Sequence, residues 1–177
     1  MFKKQLVLIS GPAGVGKSTL AKAIAKETGA AILDKDCIDD AFHPHDRGEF
    51  YTKEVEPKVL QAVLNLARLN LNVGRLVLLD IPWTHLFYQS PFWMGRIRET
   101  NSGKDPIVIE LFLDENKLRE RMRTRGLSRD QFRLTDEGWQ KFRDTDVPHK
   151  RNPLPHFLVD ASQKLEEYLP EVLKQIV

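Results

Sequence analysis

Apolar and polar positions alternate along this chain in two different rhythms. Short runs rich in Val, Ile and Leu have the composition of strands buried on both faces of a sheet, and they predict strands at residues 5–10, 31–34, 75–80, 107–113 and 156–159. Between these runs, apolar residues recur at helical spacing and predict helices at residues 17–28, 54–70, 115–125 and 163–175. This alternation is typical of an α/β fold in which helices cover both faces of a parallel sheet.

Two segments fit this alternation poorly. Residues 82–105 contain aromatic residues, arginines, two prolines and two glycines, which favour a loop with at most a short helix. Residues 126–155 are polar and charged and predict one helix near residues 129–143. The helix boundaries elsewhere are better marked, because Gly29 lies where a left-handed residue ends a helix and Asp114 lies where a carboxylate caps one.

Composition narrows the class of protein. The chain has 177 residues, of which 41% are hydrophobic and 29% charged, so we expect one globular domain over residues 1–177. A net charge of +2 is too small to indicate nucleic acid or an anionic membrane as a partner. The single cysteine, Cys37, excludes an internal disulfide, and no apolar stretch is long enough to span a bilayer. We expect a cytoplasmic protein, and the sequence leaves open whether it is a monomer or a homodimer.

One glycine-rich segment carries the most specific chemistry. Residues 11–18 match G-x-x-x-x-G-K-[ST] between a predicted strand and a predicted helix, which is the context of a phosphate-binding P-loop. Glycines let backbone amides approach an anion, the lysine reaches the β- and γ-phosphates, and the serine hydroxyl can bind Mg²⁺. We expect a nucleoside triphosphate to be bound by Gly11, Pro12, Ala13, Gly14, Val15, Gly16, Lys17, Ser18 and Thr19.

Carboxylates follow two of the predicted strands. Asp34 and Asp36 lie two residues apart, and on extended chain their side chains would point to the same side, at the sheet edge beside the P-loop. One carboxylate near Mg²⁺ and one near an acceptor hydroxyl would suit phosphoryl transfer. The alternative is a helix cap and a surface carboxylate. Asp80 ends the third predicted strand and is placed to reach Mg²⁺ through water, or to cap the next turn. Asp39 and Asp40 fit the first turn of a helix better than they fit a catalytic role.

Arginines are concentrated in residues 119–133. On a helix, Arg121 and Arg125 share one face and Arg119 and Arg123 another. A mobile segment rich in arginine can close over a transferring phosphate and stabilise its charge. A solvated basic face, paired with acidic residues such as Glu115, is equally compatible with the pattern.

In these features the chain resembles the small P-loop kinases related to shikimate kinase, gluconate kinase, chloramphenicol phosphotransferase and the zeta-toxin kinases. The resemblance rests on the P-loop, D-K-D at residues 34–36, the strand ending at Asp80, R-x-x-x-R at residues 121–125 and the late strand H-F-L-V-D-A-S. These motifs span nearly the whole chain in the family's order. They imply a three-layer P-loop fold with a parallel five-stranded sheet and an arginine-rich lid at about residues 117–145.

The resemblance also implies roles for single residues. Asp36 would orient or deprotonate the acceptor hydroxyl, Arg125 would face the γ-phosphate from the lid, and Arg121 would contact adenine or phosphate. The implied metal site consists of Ser18, Asp34 and Asp80. Residues 160–162 would lie near the nucleotide base.

The chain departs from shikimate kinases after the third strand, where D-I-P-W-T-H replaces a glycine pair. The aromatic residues that follow would form an acceptor wall or pack ordinarily onto the core; they are Trp83, Phe87, Tyr88, Phe92 and Trp93, with Arg96 and Arg98 beside them. His43 and His45 favour a polar loop near the acceptor over a metal site.

We therefore expect an ATP- and Mg²⁺-dependent kinase that phosphorylates a hydroxyl of a small molecule. Two alternatives stay open. The arginine clusters would suit a kinase of nucleotides or of nucleic-acid 5′ ends, and a P-loop alone would suit a nucleotide-dependent switch or ATPase without such an acceptor.

Overall fold

The chain forms a three-layer α/β structure around one parallel sheet. The computed structural model describes residues 5–42, 48–127, 130–145 and 151–176. Within these ranges the strands are β1 (Gln5–Ser10), β2 (Ala31–Asp34), β3 (Leu76–Asp80), β4 (Ile107–Phe112) and β5 (Phe157–Asp160). All neighbouring strands pair in parallel, in the order β2-β3-β1-β4-β5, which confirms the predicted sheet.

The described helices lie between and after these strands. They are α1 (Lys17–Thr28), α2 (Lys35–Phe42), α3 (Glu56–Asn72), α4 (Trp83–Gln89), α5 (Phe92–Thr100), α6 (Glu115–Arg125), α7 (Gln131–Leu134), α8 (Asp136–Thr145) and α9 (Leu165–Ile176). A single π-helical turn, Tyr51–Val55, leads into α3. Gly29 ends α1 in the left-handed conformation and the Asp114 carboxylate caps α6, as the sequence predicts.

Helices cover both faces of the sheet, and the side chains of β1 point alternately into the two apolar cores beneath them. Val7 and Ile9 belong to the core beneath α1, α6, α8 and α9. Leu6 and Leu8 belong to the core beneath α3, α4 and α5. Since β1 lies between β3 and β4, the loop after β1 opens into the crevice where the strand order changes direction, which is where parallel sheets bind ligands.

The prediction of a loop with one short helix at residues 82–105 is wrong in its proportions, because most of this segment forms two helices, α4 and α5. Its two prolines, Pro82 and Pro91, each stand immediately before the first residue of a helix. A proline at that position begins a helix without losing a backbone hydrogen bond, so neither interrupts one. The single helix predicted near residues 129–143 is also wrong: Thr135 is extended and separates α7 from α8.

The extended geometry predicted for Asp34 and Asp36 is wrong as well. Strand β2 ends at Asp34 and α2 begins at the next residue. The Asp34 carboxylate accepts a hydrogen bond from the Asp36 backbone amide at 2.8 Å, so Asp34 caps α2. Asp36 therefore lies in the first turn of a helix, and Asp39 and Asp40 lie in its second turn.

Candidate active site

The P-loop has the backbone that its glycines allow. Gly11 has φ +130°, and a Cβ there would meet the Leu111 carbonyl oxygen at 2.4 Å, so no other residue fits without displacing β4. Gly16 is left-handed with φ +115° and directly precedes α1. The loop is thereby held against the sheet, and residues 16–19 at the N-terminus of α1 line the crevice.

Lys17 crosses the mouth of this loop. Its Nζ donates to the carbonyl oxygens of Gly11 and Pro12, both at 3.0 Å. The ammonium group therefore stands over the loop, where the β- and γ-phosphates of a triphosphate would lie.

Asp80 is a buried carboxylate at the carboxyl end of β3. It is 5% exposed, and within the described part of the chain its Oδ2 has no hydrogen-bond partner. Burial raises the pKa of Asp80, while the charge of Lys17 and a hydrogen bond from the Ser18 hydroxyl act in the opposite direction. A buried carboxylate oxygen without a partner, beside a serine hydroxyl, is a donor set that fits Mg²⁺, which usually takes few protein ligands and keeps waters and phosphate oxygens. The described residues include no group of three or more potential His, Cys, Asp or Glu ligands.

The two aspartates of the D-K-D motif take different positions. Asp36 lines the crevice, whereas Asp34 is not among the residues that line it. Asp34 uses its carboxylate to cap α2 and lies in register with Asp80 on the neighbouring strand. Its charge adds to the upward shift of the Asp80 pKa. The metal-binding role expected for Asp34 stays a prediction.

Lys35, between these aspartates, is the centre of a buried cluster that the sequence analysis missed. Its Nζ donates to Asp39 at 2.7 Å, to Glu56 at 2.8 Å and to the Tyr51 hydroxyl at 3.0 Å. Burial by itself lowers the pKa of Lys35. The charge of Glu56 and these hydrogen bonds raise it by more, so the net shift of the pKa is upward. The cluster joins α2, the π-helical turn and α3, and so fixes the helix that carries Asp36.

The crevice has a volume of about 1310 Å³. The P-loop and Asp80 form one part of its lining, and a second part consists of polar side chains from other elements. Those side chains belong to Lys35, Asp36, Thr52, Glu56, Thr84, His85, Gln89, Glu110, Arg133 and Arg151.

The arginines of α6 divide between two faces, as their spacing predicts. Arg121 and Arg125 line the crevice. Arg121 donates to the carbonyl oxygens of Val15 at 3.1 Å and Ala161 at 2.7 Å, and so connects the P-loop to the turn after β5. Arg119 instead faces α8, where it pairs with Asp136 at 2.8 Å. The turn after β5 reaches the crevice through Ala161 and Ser162, and its contact with a nucleotide base stays a prediction.

Arg125 pairs with a residue that sequence reasoning passed over. Its Nε lies 2.6 Å from the carboxylate of Asp130, whose side chain is completely buried. Arg133 lies 3.4 Å from the other oxygen of the same carboxylate. The sequence offers no local sign of this arrangement, because the aspartate precedes α7 and contacts the arginine across a turn.

Glu110 is a second buried carboxylate that was missed. It stands in β4, is 2% exposed, and accepts hydrogen bonds from Thr84 Oγ1 and from the backbone N–H of Asn152, both at 2.8 Å. Thr84 also lies 2.9 Å from Ser10, the residue before the P-loop. A glutamate within an apolar strand was the available signal, since a charge on a strand buried on both faces must have partners.

The aromatic residues of α4 and α5 do not line the crevice. Trp83, Phe87 and Trp93 are buried in the core beneath α3, which confirms ordinary packing for these three. Tyr88 and Phe92 are exposed and do not line the crevice. Arg96 and Arg98 pair with Glu99 and Asp105 and also lie outside its lining. His43 and His45 lie outside the described residues.

A P-loop after the central strand of a parallel sheet, with a buried aspartate on the neighbouring strand, defines a P-loop nucleotide-binding protein. The chain belongs to the AAA_33 family of AAA domains, whose family model matches residues 6–148. No curated protein matches it in sequence.

Several solved kinase structures have the same fold as this chain. A protein from Chloroflexus aurantiacus, described as a candidate kinase, is 18% identical with a TM-score of 0.71, and the match covers 98% of each chain. A gluconokinase from Sinorhizobium meliloti is 18% identical with a TM-score of 0.64, over 99% of this chain and 93% of that one. A shikimate kinase from Acinetobacter baumannii is 19% identical with a TM-score of 0.63, over 97% and 92%. Among the described helices, none is both long and apolar enough to cross a membrane.

Proposed function

We propose that this protein is an ATP- and Mg²⁺-dependent phosphotransferase that moves the γ-phosphate to a hydroxyl of a small molecule. One observation carries the proposal: a single crevice contains the P-loop with Lys17, the buried carboxylate of Asp80, and the carboxylate of Asp36. Both substrates of such a reaction would fit this crevice, because its volume of about 1310 Å³ exceeds the usual 300–1,000 Å³ of a ligand pocket.

The donor half would bind the triphosphate through the P-loop amides and Lys17. Ser18 and Asp80 would hold Mg²⁺, which neutralises phosphate charge when bound. Arg125 would add positive charge at the γ-phosphate, and Arg121 would contact the nucleotide beside the turn after β5. These side chains stabilise charge that spreads over the phosphate oxygens during transfer.

The acceptor half would orient a hydroxyl for in-line attack. The hydroxyl oxygen forms a bond to the γ-phosphorus, the bond from that phosphorus to the β,γ-bridging oxygen breaks, and ADP leaves. The hydroxyl proton goes to the Asp36 carboxylate. Thr52, His85 and Gln89 also line the crevice and would supply hydrogen-bonding groups for a polar acceptor. Gluconokinase and shikimate kinase among the structural neighbours support a small acceptor that carries hydroxyl groups.

The test is ATP consumption against a panel of sugars, polyols, nucleosides and antibiotics, with Mg²⁺ present. We expect one class of acceptor to stimulate ADP release strongly. The Lys17→Ala variant should lose most of this turnover while it keeps its fold, and Lys22→Ala, an exposed lysine on the same helix, should behave like wild type. Full acceptor-dependent turnover in Lys17→Ala would contradict the mechanism.

A nucleotide or polynucleotide 5′-end kinase is a second candidate, because Arg133 and Arg151 line the crevice and would attract an anionic acceptor. Binding of oligonucleotides that weakens steeply with salt would favour it. Rapid ATP hydrolysis without any acceptor would instead favour a switch or ATPase.

A further inference from the structure

Asp130 is a buried anion placed between two cations of the crevice. Its side chain has no exposed surface, and its two carboxylate oxygens face Arg125 Nε at 2.6 Å and Arg133 Nη1 at 3.4 Å. Both arginines line the crevice that contains the P-loop. The backbone holds the aspartate in place, since its amide donates to the Leu127 carbonyl oxygen at 2.9 Å.

The geometry of the Arg125 contact decides which of its donors are used. A guanidinium group has five N–H donors, and Asp130 takes the one on Nε. Among the described residues, none accepts a hydrogen bond from the two terminal nitrogens of Arg125. Because the Nε edge is fixed, these terminal nitrogens form an oriented fork, which matches two oxygens of a phosphate group.

Electrostatics gives the same contact a second effect. Arg125 and Arg133 share one carboxylate and would otherwise repel each other. A buried charge persists only where it is paired, so Asp130 and the arginines hold one another in place. Arg133 is further fixed above the ring of Phe142, 5.7 Å from its centre. Two arginines are thus kept at the crevice before any phosphate arrives.

We propose that Asp130 is a positioning residue that aims Arg125 at the γ-phosphate of a bound triphosphate. This inference rests on the triphosphate binding in the proposed function, but not on the acceptor. It predicts that Asp130 matters for recognition of the third phosphate and not for binding of the nucleoside or of the first two phosphates.

The experiment compares the affinities for MgADP and for a non-hydrolysable MgATP analogue by titration calorimetry. Wild type should prefer the triphosphate, and Asp130→Asn should reduce that preference by about tenfold, the effect of one charge-assisted hydrogen bond. Affinity for MgADP should stay unchanged, which also reports an intact P-loop. The matched control is Asp136→Asn, which breaks an exposed ion pair of Arg119 outside the crevice.

A double variant tests whether Asp130 acts through Arg125. Arg125→Ala should itself lower the triphosphate preference, and Asp130→Asn should lower it little further in that background. Because the double variant leaves neither member of this pair behind, it also serves if Asp130→Asn alone folds poorly.

The proposal is overturned if the Asp130→Asn preference equals or exceeds that of wild type, or if Asp130→Asn acts fully in the Arg125→Ala background. Failure of every acceptor in the kinase assay would overturn the proposed function but would not change this ratio. A wild-type protein that binds neither nucleotide would overturn both.

Discussion

Asp80 should contribute more to function than to stability, and Asp80→Asn separates the two. The substitution keeps the shape of a side chain that is 5% exposed and removes its charge. If Asp80 holds Mg²⁺ against the phosphates, losing it resembles the loss of one transition-state contact. Such losses lower kcat by about 100- to 1,000-fold, or about 3–4 kcal/mol.

The effect on stability should be much smaller, because two contributions oppose each other. Burial raises the pKa of Asp80, so the folded state binds its proton more tightly than the unfolded state does. The ionised carboxylate therefore lowers the free energy of unfolding at neutral pH, and this cost disappears as the pH falls through the raised pKa. Asparagine removes the cost but also removes the attraction to Lys17. We expect the free energy of unfolding to change by less than about 1 kcal/mol.

The assay is ADP release at varied Mg²⁺, together with urea unfolding of the same samples. Asp114→Asn is the matched control, because Asp114 also follows a strand but only caps α6, and asparagine caps a helix equally well. Wild-type turnover with unchanged Mg²⁺ dependence in Asp80→Asn would refute the assignment of Asp80 to the metal. A large loss of stability would refute the account of its burial.

Three further predictions concern stability. Gly11→Ala should lower the free energy of unfolding by about 1–3 kcal/mol in a urea titration, because φ is +130° and the new Cβ would meet the Leu111 carbonyl oxygen at 2.4 Å. The control is Gly95→Ala, at a helical glycine with open space around it, which should raise the free energy of unfolding by up to about 1 kcal/mol. Lys35→Met should lower the free energy of unfolding by about 3–5 kcal/mol in chemical denaturation, since it leaves the buried Asp39 and the partly buried Glu56 without their cation. A smaller loss would contradict a tightly paired cluster. The melting temperature should fall as the pH rises above about 10. In the folded protein the pKa of Lys35 lies above its ordinary value of 10.5, and burial raises the pKa of Tyr51 to about 12, so the unfolded chain loses these protons first. A melting temperature that does not change between pH 9 and about 11 would contradict this prediction.

The sequence predicts those parts of the fold that local signals determine. The bounds of β1, β2, α1 and α6 agree with the structure to the residue, because glycines and an aspartate cap mark them. The P-loop is recognisable for the same reason, since all its groups lie within nine consecutive residues.

Local signals mislead where one residue type serves two purposes. Pro82 and Pro91 suggest a loop, yet each begins a helix. Asp34 and Asp36 suggest two side chains on one extended segment, yet the Asp34 carboxylate accepts the amide hydrogen bond that begins α2. In each case the neighbouring backbone decides the role, and composition alone does not encode it.

Pairs between different elements are the part of the site that could not be predicted. Lys35 contacts Glu56 across 21 residues of sequence, and Asp130 contacts Arg125 from the start of the next helix. Such pairs form only after the chain turns between the elements and packs. Spacing did distinguish the arginine faces of α6, because helical periodicity is a local property.

The fate of the γ-phosphate tests the central claim most directly. Wild-type protein would be incubated with Mg²⁺ and γ-labelled ATP, with and without the acceptor that stimulates ADP release, and the labelled products separated. We predict that the label appears as a phosphate ester of the acceptor, in equal amount to the ADP formed, and that Lys17→Ala forms neither product. Label that appears only as inorganic phosphate, at a rate that no acceptor changes, would contradict phosphotransfer.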